Sequence, residues 1–87
     1  MAIKIKILYF AWLREKVGKS EEALDLPAGV RTVADLVAWL RGRGPEYEEA
    51  FKRPAVVRAA LDQVHVKPDT PIGTAREVAF FPPVTGG

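Results

Sequence analysis

The chain has no cysteine, a single histidine and a single methionine among its 87 residues. Without thiols it has no disulfide framework, no thiolate metal site and no cysteine nucleophile. One imidazole cannot build a metal cluster, and no serine and aspartate pattern surrounds His65, so His65 reads as a strand or surface histidine. No apolar run approaches the roughly 18–20 residues of a membrane-spanning helix. The opening Met1-Ala2-Ile3-Lys4-Ile5-Lys6 alternates and lacks the apolar centre of a signal peptide. A soluble, cytoplasmic protein is expected. Neither sign of charge dominates: 13 Lys and Arg stand against 11 Asp and Glu, a net +2. The basic residues are scattered rather than interleaved with aromatics, which describes a mixed solvated surface and not a nucleic-acid face. Gly42-Arg43-Gly44 follows a helix and lacks the spacing of a phosphate loop. No bound cofactor, no metal, no nucleic acid and no membrane are expected.

What is present supports one packed domain. Hydrophobic residues make up 48% of the chain, with two Trp, two Tyr and four Phe, enough for one core without staples. Ile3, Ile5 and Ile7 alternate with Lys4 and Lys6, a half-buried strand. Its parity puts Leu8 and Phe10 on the outer face with the lysines. Either another part of the chain covers them or a partner does. Residues 11–18 read as a short helix closed by Gly18, and 22–26 as a second strand, antiparallel to the first. Thr32 is a good N-cap with Asp35 in the first turn, and Val33, Leu36, Val37 and Leu40 then recur at helical spacing to about Arg43. Gly44-Pro45 stops that helix, and Trp39 flanks its apolar stripe. Residues 46–52 read as a short helical turn, with Glu46, Glu48 and Glu49 a solvated charge run. Strands follow at 56–61 and 64–66, joined by an Asp62-Gln63 turn, and at 77–81 after a loop rich in Pro and Gly. Strands alternating with one long helix make a small mixed sheet with that helix on one face.

The informative stretch is the end. After Glu77 no residue is charged: Val78-Ala79-Phe80-Phe81-Pro82-Pro83-Val84-Thr85-Gly86-Gly87. Val78 and Phe80 are expected in the core. Pro82 and Pro83 cannot donate to a ladder and must end the strand, so a domain over 1–81 is followed by a tail over 82–87. Residues without Cβ atoms thread a channel too narrow for any other, and at Gly87 the only reactive group is the terminal carboxylate. Fully extended, the six residues reach about 20 Å, enough to enter a neighbouring active site. The prolines restrict the tail and lower the entropic cost of inserting it.

At these residues the chain resembles the molybdopterin synthase small subunit family (MoaD), ubiquitin-like sulfur carriers. The resemblance runs from Ile5-Lys6-Ile7-Leu8-Tyr9-Phe10-Ala11, Leu13-Arg14-Glu15 and Val17-Gly18 to the Phe80-Phe81-Pro82-Pro83-Val84-Thr85-Gly86-Gly87 ending, and is weakest over 44–55. It implies an α+β, β-grasp (ubiquitin-like) fold of about five strands, one main helix and a flexible C-terminal tail. It implies that Gly87, thinned by Gly86 before it, is adenylated by an E1-like adenylyltransferase using ATP and converted to a thiocarboxylate. The tail would enter the large subunit (MoaE) and give its sulfur to cyclic pyranopterin monophosphate (precursor Z). Two carriers would sit at the two ends of a large-subunit dimer, a heterotetramer in which the carrier is not catalytic alone. Phe10, Arg14, Phe81, Pro82, Pro83, Val84 and Thr85 would meet the partner. The chain departs from the family at Asp62, where Asn is usual, at His65, where an apolar interface residue is common, and at Gly73-Thr74-Ala75-Arg76, which replaces an Asp-Gly-Asp turn. The same tail chemistry would serve a modifier conjugated to lysines, or a carrier for thiamine or tRNA thiolation.

Overall fold

The alternation at the start of the chain becomes the first strand. In the computed structural model, which describes residues 3–83 and side chains from Lys4, β1 runs Ile3–Tyr9. After it come α1 (Trp12–Val17), β2 (Glu21–Leu26), α2 (Val33–Arg41), α3 (Pro45–Phe51), a 3-10 turn (Pro54–Val56), β3 (Arg58–Leu61), β4 (Val64–Val66) and β5 (Glu77–Phe81). The strands form one sheet in the order β2-β1-β5-β3-β4. β1 and β5 run parallel at its centre, while β1–β2, β3–β5 and β3–β4 are antiparallel. The helices lie on the inner face, the β-grasp arrangement expected from the sequence.

Local chemistry sets the helix ends. Gly18 closes α1 at φ 88°, a left-handed conformation that glycine adopts at little cost. Thr32 and Asp35 form a reciprocal capping box on α2: Thr32 Oγ1 accepts from the Asp35 N–H, and Asp35 Oδ2 accepts from the Thr32 N–H, both at 3.1 Å. Hydrogen bonds from the backbone N–H groups of Arg31 and Thr32 hold the Asp35 carboxyl below its usual range. The next free N–H groups of α2 donate to the loop before β5: Val33 to the Thr70 carbonyl and Ala34 to that of Pro68. That loop is thereby strapped to the helix start.

Ile5, Ile7 and Tyr9 of β1 and Val78 and Phe80 of β5 pack against Leu36 and Leu40 of α2, all buried in one cluster. Towards the end where β1 and β5 finish, the core is aromatic. The Tyr9 and Phe80 rings stack at 6.4 Å, and Phe51 meets Phe80 edge-on at 5.0 Å. Tyr9 and Tyr47 each donate a hydroxyl proton to Glu22 Oε2 at 2.7 Å, and Arg43 reaches Glu22 Oε1 at 3.2 Å. One carboxylate of β2 therefore ties β1, α3 and the α2–α3 link together. Burial alone would raise the Glu22 carboxyl, but the hydrogen bonds from Tyr47, Tyr9 and Arg43 outweigh it and hold it below its ordinary value. Burial and the same carboxylate push the Tyr9 hydroxyl up, so it remains a donor.

Three sequence expectations change. The strand expected over 56–61 begins at Arg58, because Pro54 opens a 3-10 turn that takes Val56. Gly44-Pro45 does more than stop α2: Pro45, with no N–H to leave unpaired, is the first residue of α3. The segment expected as a short solvated turn is thus a seven-residue helix that buries Tyr47, Ala50 and Phe51. Its glutamates do face solvent, where Glu48 pairs with Arg41 and Glu49 with Lys52.

The Glu22 cluster makes a directional prediction. A carboxyl depressed in the folded state stabilises the fold above its unfolded value, here 4.5, and that contribution fades as pH falls through the folded value. Urea unfolding midpoints of the natural chain should therefore fall more steeply on acidification below pH 4.5 than those of Glu22→Gln. Parallel slopes for the two proteins would contradict the assignment.

Candidate functional site

The parallel pairing of β1 and β5 builds one end of the molecule. Tyr9 lies opposite Phe80, so Phe10 and Phe81, one residue further on, leave the sheet at the same end. The Phe10 N–H still donates to the Phe80 carbonyl at 3.0 Å, and the Phe10 carbonyl accepts from the Leu13 N–H at 3.1 Å. Both backbone groups of Phe10 are used, while its side chain is 48% exposed. Ala11 then turns the chain away at φ 55°, ψ −132°, a costly backbone for a residue with a Cβ. Arg14 follows on α1 and is exposed.

Phe81 lies opposite Arg58 and is half-buried. Its ring sits 4.9 Å from that of His65, tilted by 47°. Pro82 and Pro83 follow, also half-buried, and β5 ends at Phe81 as two residues without N–H require. On the outer face the register draws an apolar row across four strands. Leu8 lies opposite Ala79, Ala79 opposite Ala60, and Ala60 opposite His65. One step away Lys6 lies opposite Glu77, so the apolar row gives way to charge. Arg58 flanks Phe81 and donates to the Ala55 carbonyl.

Of the residues singled out in the sequence, Phe10, Arg14, Phe81, Pro82 and Pro83 are placed at or beside this end. Val84, Thr85, Gly86 and Gly87 lie outside the described residues. The outward parity of Leu8 and Phe10 holds, and nothing among the described residues buries Phe10. Val78 and Phe80 are core, both fully buried. Trp39 is half-buried at the margin of the core, with the Arg43 guanidinium over its ring. The aromatic support beneath the face, Tyr47 and Phe51 with Glu22, was missed in the sequence. Its signal was there in the spacing of Tyr47, Ala50 and Phe51, which is helical but short.

Nothing else described competes as a reactive centre. No group of three His, Cys, Asp or Glu among the described residues could hold a metal ion. A cleft of about 260 Å³ between α2 and β3 is lined by side chains such as Val37, Val57 and Val66 and holds no acid, histidine or nucleophile. No described helix is long and apolar enough to cross a membrane.

With the geometry in hand, likeness to known proteins decides the family. Residues 7–87 match the model of the ThiS family. The chain belongs to the ThiS family. Among curated proteins this ThiS-family chain is 39% identical over 83 residues to the molybdopterin synthase sulfur carrier subunit of Escherichia coli strain K12, covering 95% of this chain and 99% of that one. Among solved structures it is similar to molybdopterin converting factor subunit 1 from Pyrococcus furiosus, with 33% identity, a TM-score of 0.75, and 94% and 99% of the two chains covered. Small archaeal modifier protein 1 of Haloferax volcanii is 21% identical with a TM-score of 0.70, covering 93% and 98%, a likeness of fold alone. The resemblance drawn from the ending and the expected β-grasp fold are both borne out.

The placement predicts a sharp contrast in stability. Phe80→Ala should cost about 3–5 kcal/mol by opening the aromatic core. Phe10→Ala should stay within about 1 kcal/mol, since so much of the ring is already in water. Urea denaturation checks both, and a comparable loss for Phe10→Ala would show it to be a packing residue instead.

Proposed function

We propose that this chain is the sulfur carrier subunit of molybdopterin synthase and that its working group is the carboxyl of Gly87. The observation that carries this reading is the parallel register of β1 and β5. It brings Phe10 and Phe81 out together and launches the chain from that same end through Pro82-Pro83 towards Val84-Thr85-Gly86-Gly87. A docking face and the root of the tail are thereby one feature. Identity to the E. coli sulfur carrier along nearly the whole chain supports the same assignment.

A carboxylate is a poor electrophile, so it needs activation. In the E1-like adenylyltransferase, a Gly87 carboxylate oxygen attacks the α-phosphorus of ATP, giving an acyl-adenylate and releasing pyrophosphate. The outer sulfur of a persulfide donor then displaces AMP to give an acyl disulfide, and a thiol reductant cleaves its S–S bond, leaving the thiocarboxylate and carrying the donor sulfur off as a mixed disulfide. The ATP requirement suits the cytoplasm. In the large subunit the thiocarboxylate sulfur attacks a side-chain carbon of cyclic pyranopterin monophosphate, a C–S bond forming as a C–O bond at that carbon breaks and its oxygen leaves. Water then hydrolyses the thioester, returning Gly87 to a carboxylate and leaving the sulfur on the pterin as a thiolate. The chain supplies no acid or base to these steps. Phe10, Arg14 and Phe81 hold the partner, while Pro82, Pro83, Val84 and Thr85 pass through it. Gly86 keeps the last part of the thread thin, and the carrier itself binds no cofactor.

Three measurements test this. Intact mass of the chain incubated with activating enzyme, ATP and a sulfur donor should rise by one exchange of oxygen for sulfur, and should fall back when large subunit and pterin precursor are added. Removing Gly87 should abolish pterin product with the fold intact. Phe81→Ala should weaken binding to the large subunit by about tenfold or more, as an aromatic anchor does. Lysine-linked adducts without pterin product would overturn the reading in favour of a protein modifier.

A further inference from the structure

We propose, building on the docking reading above, that the notch between α1 and α3 is a second contact for the large subunit, and that it takes an acidic segment of that protein carrying one apolar side chain. The notch is open to solvent, has a volume of about 310 Å³ and is lined by side chains that include Trp12, Lys16, Glu49, Lys52, Arg53 and Val56. It lies on the helical side of the molecule, away from the outer face of the sheet, yet both of its ends run into the root of the tail. Trp12 comes two residues after Phe10, and Val56 comes two residues before Arg58, the register partner of Phe81. A protein that covers Phe10 and Phe81 around the tail therefore has the notch at its margin.

Charge and apolar surface together select that occupant. Lys16 and Lys52 share one carboxylate oxygen, Glu49 Oε1, at 3.5 and 2.9 Å. Arg53 is exposed and makes no ion pair among the described residues. Three cations thus stand against one acid. They are three of the 13 Lys and Arg, and Glu49 is one of the 11 Asp and Glu, so the rest of the chain is balanced and the net +2 is local to the notch. With Glu49 already divided between two lysines, the Arg53 guanidinium is left to an acid from outside. Exposed charges of this kind act mainly on the rate of encounter and on orientation. The apolar part lies next to them. Val56 is 37% exposed and Phe10 48%, two of the three large hydrophobic side chains that stand exposed among the described residues. The half-buried indole of Trp12 lines the notch with Val56. Glu49 opposes a small free anion there, whereas a protein segment can set an apolar side chain against Trp12 and Val56 and its carboxylates over Lys52 and Arg53.

The test is the association rate of the full chain with purified large subunit, followed by stopped flow at about 0.02 M and about 0.5 M salt, where screening of exposed charges is weak and strong. Lys52→Glu combined with Arg53→Glu should slow association at low salt by about tenfold and flatten its salt dependence. Lys4→Glu combined with Arg31→Glu makes the same charge change at the other end of the molecule, where Ile3 pairs with Leu26, and should stay within about twofold of the natural rate. Val56→Ser, with the cations intact, should speed dissociation by about threefold and leave the salt dependence unchanged. Circular dichroism confirms that each variant is folded. Arg53→Gln, which lies outside α3, is the second variant should Lys52→Glu disturb the end of that helix, and alone it should slow association by about threefold. If Phe81→Ala weakens binding, the docking reading stands by itself. Natural association rates for both the double reversal and Arg53→Gln would then overturn the role of the notch alone. Equal slowing by the reversal at the other end would overturn it too, since net charge alone would be acting. So would slower association with the activating enzyme and an unchanged rate with the large subunit. Failure of the natural chain to bind the large subunit would overturn the docking reading and the inference together.

Discussion

The structure depends on two strands that are far apart in sequence and adjacent in space. β1 and β5 pair in parallel at the centre of the sheet, and a parallel pair cannot be joined by a tight turn. Everything between them, from α1 to the loop before β5, is the connection that this pairing requires. Its register decides the outcome. With Tyr9 opposite Phe80, odd positions of β1 and even positions of β5 point inward. The residues after them, Phe10 and Phe81, are delivered to the outer face at one end. A slip of one residue would exchange the core and outer sets, burying Phe81 and exposing Phe80.

That end is also the most firmly supported. Beneath it Tyr9, Tyr47, Phe51 and Phe80 form a connected aromatic group, with Glu22 holding both tyrosine hydroxyls. For the docking face proposed at this end, a rigid base is an advantage, because ordering at the moment of binding is then already done. The strained backbone at Ala11 sits at the same place. Its neighbour Phe10 is fixed through both its N–H and its carbonyl, so the turn is imposed by bonds on either side of it.

Much of this was legible in the sequence, for reasons that are local. The alternation of β1, the Gly18 stop, the Thr32 cap and the two prolines after Phe81 each depend on residues within one turn or one strand. The parts that were not legible depend on distance. Glu22 shares the parity of Leu24 and Leu26, but nothing near it in sequence shows what its carboxylate meets, since its partners Tyr9, Arg43 and Tyr47 are 13, 21 and 25 residues away. α3 was read by its glutamates, which dominate the composition of Pro45–Phe51, although its three buried residues carry its structural role. Val56 has the β-branched character of a strand residue, but Pro54 sets the backbone before it. At the candidate site, Phe10 and Phe81 could be named from the resemblance alone. That one register unites them with Leu8, Ala79, Ala60 and His65 required the strand order.

The account divides the molecule into a handle and a working end. On the proposed function, the folded body presents a face and holds it still, and the reaction is assigned to the carboxyl of Gly87. The most direct test is single-turnover sulfur transfer by a chain lengthened by one glycine after Gly87, prepared as its thiocarboxylate and mixed with large subunit and pterin precursor. The account predicts that the lengthened chain binds the large subunit with the affinity of the natural one but transfers almost no sulfur, because its reactive group is displaced by one residue. Transfer at the natural rate, or loss of binding in place of transfer, would contradict it.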